Sequence, residues 1–458
     1  MALSGYMEID GNRRLVTFGS HKSLSCGSGI GSPAECYENH LQVEDIIRTP
    51  IKNGELEMLR RGKTRKAVGV GLLACALIAW FSVIKGRASV LEASKTALAC
   101  DGKWHIIRAV DAVTAANDYN SLNAVAALSA TEVWAVGNFH RFSDAADKTL
   151  AEHWNGTKWK LVPSPNSSSK TNILAGVAVV GSNDAYAVGY EVQSGSYQTL
   201  IEHWNGKAWT FAQNGTNKGL LSSVAATATN DVWAVGSTDY VGSGLIEHWD
   251  GKSWAETTLP EQVYFRAVAA ISKNDVWAVG QQTNSTGIGD FTYAVHFDGT
   301  RWTHIPSPSP FRKHDLDQDW LTSLTALSSN DVWAGAVWRD GDYGILDHTF
   351  AEHWDGRAWQ VVRSQNPGGN TKYNDFWGIA ALAPDRVWAV GQSGYTNFQP
   401  LVEKWNGTAW GLVKTPPAPD GVLQGIARLP SLSAFTAAGS QYKQTYTGTL
   451  VEYACGLP

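Results

Sequence analysis

Three features predict an all-β, seven-bladed β-propeller. A Val-Trp-Ala-Val-Gly motif returns at a spacing of about fifty residues, a Leu-Ile-Glu-His-Trp motif follows each copy, and an Asn-Gly or Asp-Gly pair closes the second motif. Full copies of the first motif stand at Val133–Gly137, Val232–Gly236, Val276–Gly280 and Val387–Gly391, with degenerate ones at Ala185–Gly189, Val332–Ala336 and Ala434–Gly439. The anchor aromatics Trp134, Tyr186, Trp233, Trp277, Trp333, Trp388 and Phe435 are 52, 47, 44, 56, 55 and 47 residues apart.

Each unit reads as four short strands. Strand A is a Val-Ala-Ala run introduced by a large apolar residue, as in Leu122/Val125, Leu221/Val224 and Phe376/Ile379. Strand B is the anchor motif. Strand C is the Glu-His-Trp motif, as in Leu200–Trp204, and strand D begins at the next Trp, here Trp209. Alternation, β-branched and aromatic residues and short length favour strands over helices. The Asn-Gly and Asp-Gly pairs between C and D, at 155–156, 205–206, 250–251, 298–299, 355–356 and 406–407, are hairpin turns, whose central residues need positive φ. The last unit, Leu450–Gly456, ends on a C strand. Its D strand is supplied from the other end by Asp101-Gly102-Lys103-Trp104, which repeats Asp250–Trp254 with one residue deleted. Such closure leaves no long open sheet edge. Cys100 and Cys455 fall beside this junction and are expected to form a disulfide. Closing so long a loop has a nominal chain-entropy value of about 5 kcal/mol or slightly more.

The repeats resemble the Trp-Ala-Val-Gly / Glu-His-Trp-Asn-Gly repeats of uncharacterised secreted bacterial proteins. The resemblance covers nearly all of residues 100–458 and implies a fold but no activity. The C–D hairpin is also loosely similar to the Asp-box of sialidases and related propellers, although here the Gly follows the Asp at once and the Trp comes four residues after it (Asp250, Gly251, Trp254).

Ahead of the repeats, residues 1–66 are polar and read as a mostly disordered cytoplasmic segment. Residues 67–84 form an uncharged run of eighteen, long enough for a single transmembrane helix or signal anchor, and 85–99 form a linker. Arg60, Arg61, Lys63, Arg65 and Lys66 precede the run and only Lys85 and Arg87 follow it. This bias places the N-terminus in the cytoplasm and the propeller outside the cell. The alternative is a cleaved signal peptide starting at Met58, which would release a secreted protein.

Composition narrows the function. Charged residues make up 17% of the chain and the net charge is −5, which argues against nucleic-acid binding. Of the 21 tryptophans, 17 lie at repeat positions or in the closing strand and Trp80 lies in the apolar run, leaving Trp320, Trp338 and Trp377. Residues repeated in every blade read as scaffold, and so do the Glu-His pairs Glu152/His153, Glu202/His203, Glu247/His248 and Glu352/His353, which blades four, six and seven break, because adjacent strand residues point to opposite faces. Function is expected where the repeat breaks, in the D–A and B–C loops of one face.

The loops around blade five are the richest. They gather Trp320, Trp338, Tyr343, Tyr373, Trp377, Arg339 and His348 as a candidate aromatic and polar ligand platform. Asp315, Asp317 and Asp319, with Asp340 and Asp342, have alternate spacing that suits Ca²⁺, although the first run lacks the Gly that turns such a loop. No nucleophile elbow, phosphate loop or metalloprotease motif occurs. The expected function is an extracytoplasmic binding or adhesion module for a carbohydrate or an extracellular protein. The alternative is a glycan-active hydrolase or lyase using carboxylates of the same face.

Overall fold

The computed structural model describes residues 7–9, 15–17 and 100–457, apart from 168–170, 240–241, 285–288, 312–316, 340–345 and 431. The chain divides into two compact units, residues 1–82 and 83–458. In the first, Met7–Ile9 and Leu15–Thr17 pair antiparallel, with Met7 opposite Thr17.

The second unit contains seven four-stranded antiparallel blades. Blade 1 is Tyr119–Ser129, Glu132–His140, Lys148–Trp154 and Trp159–Leu161. Blade 2 is Thr171–Gly181, Asp184–Gln193, Ser196–Trp204 and Trp209–Lys218. Blade 3 is Leu220–Ala228, Asp231–Ser237, Ser243–Trp249 and the first part of Trp254–Ser272, whose second part is the inner strand of blade 4. Blade 4 continues with Asp275–Thr283, Asp290–Phe297 and Trp302–His304. Blade 5 is Gln318–Ser328, Asp331–Arg339, Asp347–Trp354 and Trp359–Arg363. Blade 6 is Tyr373–Ala383, Arg386–Gly394, Gln399–Trp405 and Trp410–Leu412. Blade 7 is Val422–Arg428, Ala434–Lys443 and Tyr446–Cys455, completed by Trp104–Ile107. Glu452 stands opposite Ile106 and Ala454 opposite Trp104, so the first strand of the domain is the outer strand of its last blade. Cys100 and Cys455 are joined by a disulfide beside it.

The inner strands close a ring. Each touches the inner strand of the next blade, and that of blade 7 touches that of blade 1. Every inner strand carries a β-bulge just after its large apolar residue, as at Leu122/Ala124 and Phe376/Gly378. The residue after the bulge is small in all seven blades: Ala124, Gly176, Ser223, Ala267, Ser323, Gly378 and Gly425. The reason is crowding. A Cβ on Gly176 would lie 3.0 Å from the Ser223 Cα, and one on Gly378 would lie 3.0 Å from the Ile426 amide nitrogen.

The repeated Glu-His pair has a structural role on both faces of strand C. The Glu side chains (Glu152, Glu202, Glu247, Glu352, Glu403 and Glu452) are fully buried. Four of them fasten the connector arriving from the preceding blade. Glu152 accepts the Val110 N–H at 3.1 Å, Glu202 the Ser164 hydroxyl at 2.7 Å, Glu352 the Ser307 hydroxyl at 2.6 Å and Glu403 the Gln365 N–H at 3.1 Å. Val110 and Gln365 each come six residues after the outer-strand Trp. In blade 7 that position is Pro416, which has no N–H, and the Glu452 carboxyl has no hydrogen-bond partner among the described residues. Burial pushes Glu152, Glu202, Glu352 and Glu452 up to about 8 and Glu403 to about 7.

The neighbouring His points the other way. It bonds the acid that opens strand B, as in His153–Glu132 at 2.7 Å and His248–Asp231 at 2.8 Å. It also lies against the anchor aromatic, with ring centroids 4.5 Å apart for Trp134–His153 and 3.7 Å for Trp233–His248. The strand C Trp donates to a carbonyl of the A–B turn, as from Trp154 to Ala130 at 3.1 Å. Blade 6 replaces the His with Lys404, whose ammonium sits 5.2 Å from the centre of the Trp388 ring.

The expectations of a membrane helix and of a single-pass protein with an extracytoplasmic propeller are corrected. Among the described residues no helix is long and apolar enough to cross a membrane, and the one helical element is the 3₁₀ turn Gly369–Thr371. Both expectations rested on the uncharged run 67–84, which lies outside the described residues together with the rest of 18–99. The fold class is all-β alone, and the localisation is not retained.

Candidate functional site

The starts of the A strands, the ends of B and the starts of C meet at one mouth of the ring. Three inner-strand positions there can be compared across blades: the residue before the large apolar anchor, the anchor, and the bulge residue. Blades 1, 2 and 7 carry Ser121/Asn123, Ile173/Ala175 and Val422/Gln424 on either side of the anchor. Blade 3 carries Leu220/Ser222. Blades 4, 5 and 6 carry Tyr264/Arg266, Trp320/Thr322 and Asp375/Trp377. The frame is the same in both sets, but the layer facing the mouth becomes aromatic and charged over three consecutive blades.

These residues form a ladder across the seams between blades. Ser222 of blade 3 donates to the Tyr264 hydroxyl at 3.1 Å. The Arg266 guanidinium lies 4.9 Å from the Tyr264 ring centre and 5.8 Å from that of Trp320 in the next blade, while its Nε donates to Gln281 at 2.6 Å. Arg339 covers the same Trp320 ring at 5.5 Å and grips Asp347 with two bonds, Nε to Oδ1 at 2.5 Å and an Nη to Oδ2 at 2.9 Å. Asp347 faces Asp375 of blade 6, which also accepts from Gln392 at 2.6 Å. Burial, with the Asp347 charge adding to it, pushes Asp375 up to about 7, and its bond from Gln392 and the nearby Arg339 act in the opposite direction. The Asp347 carboxylate holds Arg339 above its ordinary value.

The residues expected from sequence are distributed as follows. Trp320 is buried as a rung of the ladder, and Arg339 is the next rung. Trp338 is half-buried between Phe311 and His348, with ring centroids 4.8 and 4.5 Å away, and His348 is buried. Tyr373 is half-buried and groups with exposed Tyr395 at 6.0 Å and with Phe398 at 6.1 Å. Trp377 is half-exposed at the bulge position of blade 6, where every other blade has a smaller or more flexible residue. Tyr343 lies outside the described residues.

Of the acids considered for Ca²⁺, Asp315, Asp340 and Asp342 also lie outside the described residues. Asp317 and Asp319 are buried, and an Asp319 oxygen accepts the Phe311 N–H at 3.3 Å. Among the described residues no group of three or more His, Cys, Asp or Glu side chains is arranged to hold a metal ion.

Tyr264, Arg266, Asp375 and Gln392 are absent from the sequence expectation because they stand on strands of the repeat and not in the variable loops. Aligning the seven A strands on their apolar anchor exposes Tyr264, Arg266 and Asp375, since aliphatic, small or neutral polar residues give way there to Tyr, Arg and Asp, whereas Gln392 lies on a B strand and has no such signal.

No family model matches the chain, and no curated protein matches it. Among solved structures it is similar to the WD40 β-propeller domain of Doa1, with 11% identity over 75% of this chain and 98% of that one at a TM-score of 0.43. It is also similar to the β-propeller domain of Cps50 (Swd1) from Myceliophteria thermophila, with 9% identity over 76% and 98% at a TM-score of 0.45. At these scores the likeness adds nothing to the architecture, which rests on the strand pairing and ring closure of the chain itself.

Proposed function

We propose that the chain is a binding module whose ligand, a carbohydrate or a protein segment, docks at the mouth of the ring over blades 4 to 6. One observation supports this reading. Inner-strand positions that are aliphatic, small or neutral polar elsewhere become Tyr264, Arg266, Trp320, Asp375 and Trp377 in three adjacent blades, while the buried frame stays the same. A frame that tolerates Ile173 and Ala175 at these positions does not require Asp375 and Trp377 for folding. Aromatic faces beside fixed polar groups suit sugar rings and peptide side chains alike. Trp377 and the Tyr373–Tyr395 pair supply the accessible aromatic surface, and the Arg339–Asp347–Asp375 cluster holds its base rigid.

The test is a glycan and peptide array probed with the full chain. Ligands recognised by the wild type are expected to be lost or weakened about tenfold or more in Trp377→Ala and Tyr395→Ala, the size of a modest hot spot. Undiminished binding by both variants would move the site elsewhere.

The second reading, a glycan-active hydrolase or lyase, has one observation in its favour, the facing Asp347 and Asp375 carboxyls, one of which is held near neutral pH. Both side chains are nevertheless buried, and Asp347 is engaged by two Arg339 bonds, so the pair serves the wall of the site. Glycan turnover by the wild type that disappears in Asp375→Asn would reverse this preference.

A further inference from the structure

The outer rim of the ring divides into two arcs of different chemistry. The third residue of each D strand, two after the outer-strand Trp, stands on the outermost strand of its blade, opposite the Glu position of strand C. In blades 6, 7, 1 and 2 it is Leu412, Ile106, Leu161 and Phe211, and these are among the most exposed large apolar side chains of the domain, at 55%, 41%, 40% and 36%. In blades 3, 4 and 5 it is Glu256, His304 and Val361.

The C–D turn changes in step. Three of the turns in the apolar arc open with neutral Asn (Asn155, Asn205, Asn406), whereas all three in the other arc open with Asp250, Asp298 or Asp355. The Asn and Asp oxygens do the same structural work, accepting N–H groups two and three residues ahead, as Asn155 does at 3.1 Å and Asp250 at 2.8 Å. The hairpin therefore does not explain the choice of a neutral residue. The exposed cations on or just beyond the outer strands and turns of the apolar arc are Lys103, Arg108, Lys158, Lys160, Lys207, Lys218 and Lys414. None of the seven lies in an ion pair among the described residues, and Asp101 is the one acid on these turns and strands. The turns and strands of the other arc carry four acids (the three turn Asp residues and Glu256) alongside Lys252, Arg301, Arg357 and Arg363.

We propose that the rim of blades 6, 7, 1 and 2 is an interaction surface for an extended acidic polypeptide segment bearing apolar side chains. The charge identifies the partner's sign. The regularly spaced apolar residues favour a peptide over a nucleic acid, whose outer surface is phosphate. Curvature favours it over a lipid bilayer, because four consecutive blades of a seven-bladed ring subtend more than half a turn and a flat surface cannot meet them all. The surface is distinct from the mouth over blades 4 to 6 and stands or falls separately from it.

The experiment measures fluorescence anisotropy of the full chain with labelled synthetic peptides of alternating Glu and Leu, Lys and Leu, or Glu and Ser. The Glu-Leu peptide is expected to bind best. Its affinity is expected to fall about tenfold or more in a rim variant combining Lys103→Glu, Lys158→Glu, Lys160→Glu and Lys207→Glu, and to weaken in Leu161→Ser with Leu412→Ser. It should be unchanged in the opposite-arc control Arg301→Glu with Arg357→Glu. No Glu-Leu binding, equal effects of the two arcs, or preferential binding of RNA or phosphatidylserine vesicles would overturn the proposal. Should the rim variant not fold, carboxyl-to-lysine crosslinking of the peptide to the wild type decides. Crosslinks at Lys158, Lys160 and Lys207 support it, and crosslinks confined to lysines before residue 100 overturn it.

Discussion

Blades 2 and 6 share a frame and differ in one layer. Both bury a strand C glutamate, Glu202 or Glu403, that accepts a bond from the incoming connector. Both set a strand B aromatic, Tyr186 or Trp388, against the side chain that follows this Glu, His203 or Lys404. At the mouth, blade 2 presents Ile173 and Ala175, where blade 6 presents Asp375 and Trp377. The difference teaches that in a repeat protein the periodic residues report packing, and departures from the period at fixed register report what the scaffold is free to offer a ligand.

That comparison can be broken by perturbing frame and mouth in turn. The largest effect belongs to ring closure. Cys455→Ser removes a cross-link spanning 355 residues, and the unfolding free energy is expected to drop by about 5 kcal/mol, less any strain the bond holds. Chemical denaturation with and without reductant measures it, and equal midpoints would show that the closing strand holds the ring unaided. Next comes a frame tryptophan. Trp333→Ala empties a fully buried site and should cost about 3–5 kcal/mol.

The buried glutamates give a pH signature that belongs to the frame. Their folded values of about 7 to 8 lie above the ordinary 4.5, so the folded chain binds more protons than the unfolded one between those limits. The contribution of these groups is fully present below about pH 4.5 and is lost progressively as pH rises through 7 to 8. Thermal scans from pH 5 to pH 9 are expected to show a falling midpoint that flattens in Glu202→Gln with Glu452→Gln. An unchanged slope would mean that these carboxyls ionise with partners. The smallest stability effect belongs to the mouth, where Trp377→Ala should shift the unfolding free energy by less than about 1 kcal/mol while removing ligand binding. A loss comparable to that of Trp333→Ala would make Trp377 part of the frame.

Much of the fold was legible in the sequence because its causes are periodic. The Asn-Gly and Asp-Gly turns require left-handed glycines, and Gly156, Gly206, Gly251, Gly299, Gly356 and Gly407 have φ between 85° and 93°. Trp104 reveals the closing strand because it repeats Trp254. The site was less legible. Trp320 and Arg339 stand out by composition, but their stacking depends on Arg266, some fifty residues earlier, and only register across a seam between blades brings them together. The burial of the Glu ring was invisible for a similar reason, since Ser164 and Ser307 lie in connectors with no motif of their own. The uncharged run 67–84 shows the opposite hazard, because a feature of composition alone supported a membrane reading with no strand or repeat to check it.

The closing strand also sets a timetable for synthesis. Trp104–Ile107 pairs with Val451–Ala454, so the first strand of the domain to leave the ribosome is the last to find its partner. At about 5–20 residues per second the intervening chain takes roughly 20 to 70 s to make. Throughout that interval six blades can stack behind it while Trp104 waits with its apolar ring exposed. A nascent chain stalled before residue 446 would therefore present an open crescent with two unsealed faces, and chaperone occupancy should be highest there and vanish when blade 7 emerges.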